Sequence, residues 1–138
     1  MDIIIFFKNL KKSDWQAPVT YEWQVKDVLS HLVGWERETA KELVKVVKTG
    51  NEPWFKRRED FGAINKKIYR EFKNYSPAAL ISELKKWQNT LSKEIKAIDR
   101  KRLKELSHIN INQEFNKGVK LHYKHHLKQI KEALANNK

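Results

Sequence analysis

The segment from residue 76 to residue 98 carries the clearest hydrophobic period in the chain. It begins with a strong start signal, because Ser76 is a favoured N-cap and Pro77 suits the first helical position. Apolar side chains then recur at every third or fourth position: Leu80, Leu84, Trp87, Leu91, Ile95 and Ile98. This pattern predicts a long helix that is buried on one side, and such a helix needs partner helices to cover its apolar face.

Other periodic segments supply those partners. They predict a short helix at residues 2–11 and longer helices at about 25–49, 60–74 and 119–135. Residues 107–117 look like a polar connector, and the sequence shows no alternating strand pattern. We therefore expect one all-α domain over residues 1–138, folded as a four-helix bundle with an extra helix in the crossover and a shortened first helix.

Two helix ends have specific signals. Asp27 falls in the first turn of the helix at 25–49, where a carboxylate favours the positive helix end. Gly50 and Asn51 close that helix as a C-cap. The segment from 51 to 74 is too long for a tight turn, so we expect a crossover connection and a parallel arrangement of the second and third bundle helices.

The charge balance leaves two interpretations open. The chain has 29 Lys and Arg against 17 Asp and Glu, which gives a net charge of +12. Such an excess is typical of proteins that bind nucleic acid or an anionic surface. The basic residues are spread over the whole chain, however, which favours a solvated surface.

The sequence excludes sites that need cysteine and gives no sign of a membrane span at its apolar start. The chain has no cysteine, so disulfides, thiolate metal sites and a cysteine nucleophile are excluded. The apolar stretch at residues 3–7 is too short to span a bilayer. We therefore expect a soluble cytoplasmic protein without a membrane partner.

Histidines near the C-terminus are the best candidates for chemistry. His122 and His126 are four residues apart, so on a helix one metal ion or one substrate could contact both rings. His125 is turned by about 100° from His126 and lies off that face. His31 borders an apolar stripe on the helix at 25–49, where a single histidine is more often a hydrogen-bonded core residue than a ligand.

The chain resembles the DinB-like superfamily and, within it, the ClbS/DfsB group. The similarity is carried by residues 22–32, EWQVKDVLSHL, and continues through Gly34, Trp35 and Glu36. Supporting stretches are Ala63-Ile64-Asn65 with Tyr69, then Tyr75-Ser76, and finally His122-Tyr123. The resemblance covers nearly the whole chain and implies the DinB/YfiT-like metalloenzyme fold.

The resemblance also implies a metal site. That site takes one histidine from the second helix and two, four apart, from the last helix, which correspond to His31, His122 and His126. Three imidazoles leave coordination positions open on a divalent zinc, nickel or iron ion, as catalytic sites do. We therefore expect a metal-dependent hydrolase or thiol-dependent transferase that acts on a small reactive molecule.

Other site residues are less clearly assigned. Glu36 is a candidate general base or an acceptor that orients a ligand, but it could equally be an exposed partner of a lysine. Trp35 could form the floor of a substrate pocket or belong to the core. The resemblance adds Asn65 and Tyr69 to the expected pocket.

Two departures from the family pattern bear on function. The first helix is shorter than in the family, and a homodimer could cover the apolar surface that this exposes. Lys56, Arg57 and Arg58 replace aromatic pocket positions, so hydrolysis of a cyclopropane-bearing genotoxin, attributed to that branch, is not carried over. The alternative is a non-catalytic or degenerate bundle that binds a small molecule or DNA through its basic surface.

Overall fold

The computed structural model describes residues 2–57 and 61–136, which form six α-helices and no strand. The helices are α1 (Ile3–Lys8), α2 (Val25–Thr49), α3 (Phe61–Phe72), α4 (Pro77–Lys96), α5 (Arg100–Glu105) and α6 (Gly118–Asn136). The predicted all-α class is confirmed, while the four-helix bundle stays a prediction. Within the described residues, no helix has both the length and the apolar character needed to cross a membrane.

The predicted ends of α2 and α4 are confirmed by their caps. At the start of α2, the Asp27 carboxylate accepts a hydrogen bond of 2.9 Å from the backbone N–H of Gln24. At its end, Gly50 has a φ of 76°, a left-handed conformation that favours glycine. The Ser76 hydroxyl accepts a bond of 3.1 Å from Ala79, and Pro77 follows it at the first helical position.

Helix α2 lies at the centre and packs against α3, α4 and α6. Near its start, Val28 shares a buried cluster with Leu80 of α4. Near its end, Leu43 shares a second buried cluster with Leu91 of α4. Because the two helices meet start to start and end to end, they run parallel, as the crossover segment predicts.

Helix α6 runs in the opposite direction. Its late residue Ile130 belongs to the cluster around Val28, whereas Phe115, which precedes α6, belongs to the cluster around Leu43. Leu127, in the middle of α6, also belongs to the cluster around Val28, so the stretch of α6 that precedes it lies across from the first half of α2. This arrangement places His31 opposite the paired histidines.

The prediction of a polar connector at residues 107–117 is wrong. Ile109, Ile111 and Phe115 are buried there, and the chain is already helical from residue 111. A π-helical turn at Gln113–Lys117 then leads directly into α6, so Gly118 lies inside the helix and does not precede it. The segment was predicted to be polar because of its Asn, Gln and Lys residues, although three of its apolar side chains complete the second cluster.

A close contact between α2 and α3 depends on the absence of a side chain at Gly34. A Cβ built at Gly34 would lie less than 3.0 Å from three side-chain atoms of Ile68, which is itself buried. The glycine therefore sets the distance between these two helices.

We expect Gly34→Ala to lower the free energy of unfolding by about 1–3 kcal/mol, because the added methyl group overpacks the contact with Ile68. Urea denaturation followed by circular dichroism measures this. Gly62→Ala, at an exposed position in α3, is the control and should be neutral or stabilising, since alanine is the better helix former. In an Ile68→Ala background the penalty of Gly34→Ala should disappear; a penalty of the same size would contradict the contact.

Candidate metal centre

Three imidazoles converge where the first half of α6 packs against α2. Nε2 of His122 lies 3.0 Å from Nε2 of His31 and 3.1 Å from Nε2 of His126. One ligand atom from each of the three residues lies within 4.8 Å of the other two. Nitrogens bound to one zinc ion at about 2.0–2.1 Å, with angles between 90° and 110°, are separated by about 2.9–3.4 Å. The two short distances therefore fit a shared centre.

Hydrogen bonds among the three imidazoles cannot pair all three Nε2 atoms. A neutral imidazole nitrogen carries either one hydrogen or one lone pair, so Nε2 of His122 can form only one good hydrogen bond. Two Nε2 atoms compete for it. A cation placed among the three rings would instead accept one lone pair from each of them. The donor set therefore fits a divalent metal ion.

The environment keeps the three rings uncharged. Burial, followed by the charges of His122 and His126, lowers the pKa of His31 from 6.5 to about 3. Burial, followed by the neighbouring charges of His126 and His125, lowers the pKa of His122 to about 4. Burial also lowers the pKa of His126. All three residues therefore offer lone pairs at neutral pH.

The rings of His126 and His31 differ in whether a hydrogen bond to a residue outside the cluster orients them. Nδ1 of His126 lies 2.7 Å from Oε1 of Gln129 and donates to it, which leaves Nε2 with its lone pair. Asn65 lies near His31 and weakly raises its pKa, but Nδ1 of His31 is buried and no hydrogen bond of standard geometry reaches it. The ring of His31 is held instead by Trp23, whose ring centre lies 4.9 Å away.

A cavity of about 420 Å³ opens onto two of the three histidines. It is lined by His31, Trp35, Thr39, Phe55, Phe61, Asn65, Glu114, Gly118, Val119 and His122. The indole N–H of Trp35 donates to Asn65 over 2.6 Å, and the ring of Trp35 stacks on Trp54 at 5.7 Å. Trp35 and Asn65 thus line this cavity, and its size suits a small molecule.

Glu36 faces a different part of the molecule. It is only 4% exposed, so it is not the surface partner of a lysine. It lines a separate cavity of about 300 Å³ together with Gln88 and Tyr123. Burial raises its pKa to about 7, and the Tyr123 hydroxyl partly offsets this rise. The structure does not bring Glu36 to the cavity beside the histidines.

Three further residues, Tyr69, His125 and His108, do not line the histidine cavity. Tyr69 is 40% exposed and lines a neighbouring surface depression, which shares Asn65 with the histidine cavity. His125 is exposed, and His108 is exposed with its Nε2 2.7 Å from the Gly50 carbonyl oxygen. The side chains at positions 56 and 57 and the whole of residue 58 lie outside the described part of the chain.

Sequence reasoning missed Glu114 and the aromatic wall of the cavity. Phe55, from the crossover segment, and Phe61, from the predicted helix at 60–74, flank the cavity, although neither had a predicted role there. Glu114 lay in the supposed polar connector, where a carboxylate carries no positional information. A heptad count back from His122 points to position 115, so only the π-helical turn reveals that Glu114 is on the cavity face.

Comparison with protein-family models, with curated proteins and with solved structures found no match to the chain. The DinB-like assignment therefore stays a prediction that rests on the motifs quoted above. The geometry of the three imidazoles is an independent observation, because it does not use the resemblance.

We expect the purified protein to bind one divalent metal ion, and His126→Ala to weaken zinc or cobalt binding at least about 100-fold. The reason is that the variant removes one of three converging lone pairs. Titration with cobalt, followed by visible absorption, and elemental analysis measure binding.

The matched control is His125→Ala, an exposed histidine one residue away. It should retain the affinity of the wild type within about threefold, since His125 does not belong to the cluster. Equal loss in the two variants would show that nonspecific histidine binding accounts for the signal.

We expect the metal-free protein to lose stability as the pH falls below 6.5. The residue-31 imidazole has a pKa of 6.5 when unfolded and about 3 when folded, so the unfolded state gains the proton first. This contribution is complete above pH 6.5 and falls by about 1.4 kcal/mol per pH unit towards pH 3.

Comparison with His31→Gln isolates that contribution, because Glu36 acts in the opposite direction in both proteins. Its raised pKa reduces stability as the pH rises from 4.5 towards 7. Urea denaturation with a chelator present, between about pH 4.5 and 7.5, measures both proteins. A stability difference that does not change with pH would contradict the burial of an uncharged His31.

Proposed function

We propose that the protein is a metal-dependent enzyme of the DinB-like, ClbS/DfsB-related type, with a four-helix bundle fold, that acts on a small molecule by hydrolysis or thiol transfer. The observation that carries the proposal is the convergence of three Nε2 atoms at a cavity of about 420 Å³. A structural site would be closed, whereas this one faces a space large enough for a substrate.

The residues that would hold the ion are His31, His122 and His126. A divalent ion there supplies Lewis acidity, which favours the anionic form of a water or thiol nucleophile at neutral pH. Gln129 fixes the ring of His126 through its Nδ1 hydrogen bond. The protein thus provides three uncharged donors, one of which is oriented by its neighbour.

The cavity walls would bind the apolar part of a substrate. Trp35 is held by two contacts, the hydrogen bond to Asn65 and the stack on Trp54. The ring centre of Phe61 lies 5.7 Å from that of Trp35. These aromatic surfaces favour a substrate with a flat or apolar group.

We expect the zinc- or nickel-loaded protein to accelerate a probe reaction about 100-fold or more over the metal-free protein. Hydrolysis is tested with 4-nitrophenyl acetate, and thiol transfer with 2-mercaptoethanol and 1-chloro-2,4-dinitrobenzene. Acceleration of the first or of the second reaction distinguishes a hydrolase from a transferase.

His126→Ala should reduce the rate to that of the metal-free protein, and His125→Ala should not. A protein with stoichiometric metal that accelerates neither probe would contradict the enzymatic proposal while leaving the metal site intact. A rate that is the same with and without metal would contradict a metal-dependent mechanism for hydrolysis and for thiol transfer.

A further inference from the structure

The long C-terminal helix is interrupted by a π-helical turn just before the histidine pair. The chain is helical from residue 111, passes through the turn at Gln113–Lys117 and continues as α6. The backbone N–H of Gly118 bonds to the carbonyl oxygen of Gln113, five residues earlier. Such turns absorb one extra residue and are frequent at functional sites.

The extra residue changes which side chains share a face with His122. Glu114 precedes His122 by eight residues, and in a regular α-helix it would point about 80° away from it. With one residue absorbed by the π turn, the separation is equivalent to seven residues, or about 20°. Gly118 and Val119, four and three residues before His122, lie on this face as well. All four residues line the histidine cavity.

Gly118 lies both in the π-helical turn's last hydrogen bond and in the cavity wall, and a side chain would be crowded there. A Cβ at this position would lie 3.2 Å from the carbonyl oxygen of Gln113, closer than most Cβ contacts. In the cavity wall, the absence of a side chain at Gly118 leaves space. The glycine therefore allows the carboxylate and the imidazole to face the same space.

Glu114 lines the same cavity as His31 and His122 but does not belong to the group of candidate metal ligands. The cluster whose ligand atoms lie within 4.8 Å of one another contains the three histidines and not this carboxylate. A small molecule in the cavity can therefore lie between Glu114 and the imidazoles. A carboxylate in such a position serves in proton transfer.

We propose that Glu114 is the acid–base residue of this site, an inference that rests on the proposed function. In ester hydrolysis its carboxylate takes one proton from water while the water oxygen bonds to the acyl carbon. The bond from that carbon to the leaving oxygen then breaks, and Glu114 gives the proton to the leaving oxygen. Glu36, in its separate cavity, has no part in this transfer.

The test uses acetohydroxamic acid as a probe that must lose a proton when it binds to zinc. Calorimetry of the zinc-loaded protein in two buffers with different ionisation enthalpies counts the protons that are released. In the wild type the proton stays on Glu114, so none reaches the buffer. In Glu114→Gln about one proton is released per molecule bound, and the affinity at neutral pH falls about tenfold or more.

A control and a second variant separate proton transfer from general effects. Glu132→Gln makes the same charge change at an exposed position of α6 and should behave like the wild type. Glu114→Ala should also release a proton, and added formate should restore the wild-type count, because formate can replace the missing carboxylate. A purely structural role would not respond to formate.

The failures are distinguishable. If the wild type takes up no zinc, the proposed function and the role of Glu114 both fail. If the wild type is loaded but Glu114→Gln shows the same proton count and affinity, only the acid–base assignment fails. If Glu114→Gln folds yet no longer holds zinc, Glu114 is a metal ligand, and the assignment is wrong.

Discussion

The enclosure of α2 by three other helices is the constraint on which the structure depends. A helix covered on so many sides must place polar residues where water cannot reach them, and each of these needs a partner within the protein. Of the five buried polar residues on α2, Ser30 donates within the helix to the carbonyl oxygen of Lys26, whereas the other four have partners in other elements and so connect α2 to them. The pairs are His31 with His122, Glu36 beside Tyr123, Arg37 with Glu71, and Glu42 with the backbone N–H of Trp54.

The histidine pair differs from the other connections because it is electrostatically incomplete. Arg37 and Glu71 compensate each other's charge, and the pKa values of both residues move towards the charged forms. The three imidazoles have no anionic partner among them, and burial holds them neutral. The same burial that makes protonation unfavourable leaves the lone pairs available, so the folding of α2 against α6 prepares a place for a positive charge.

Local signals predicted the parts of the fold that depend on neighbouring residues. Ser76 and Gly50 marked helix ends because capping is a matter of a few bonds nearby, and the four-residue spacing of His122 and His126 fixed a common face. The sequence could not show that Glu36 faces another cavity, since that depends on the rotation of α2 within the assembly. It could not show the role of Glu114 either, because a π turn changes helical register without leaving a pattern in the period.

The histidine contact joins residues that are 91 positions apart, in a chain without cysteine. An ion bound there would tie two distant parts of the chain together, and closing a loop of that length removes disorder from the unfolded ensemble on the order of 4–5 kcal/mol by the entropy model for covalent cross-links. Unlike a disulfide, this link would form and break without a redox reaction. The durability of the folded chain would then follow the concentration of free metal around it rather than the redox state of its surroundings.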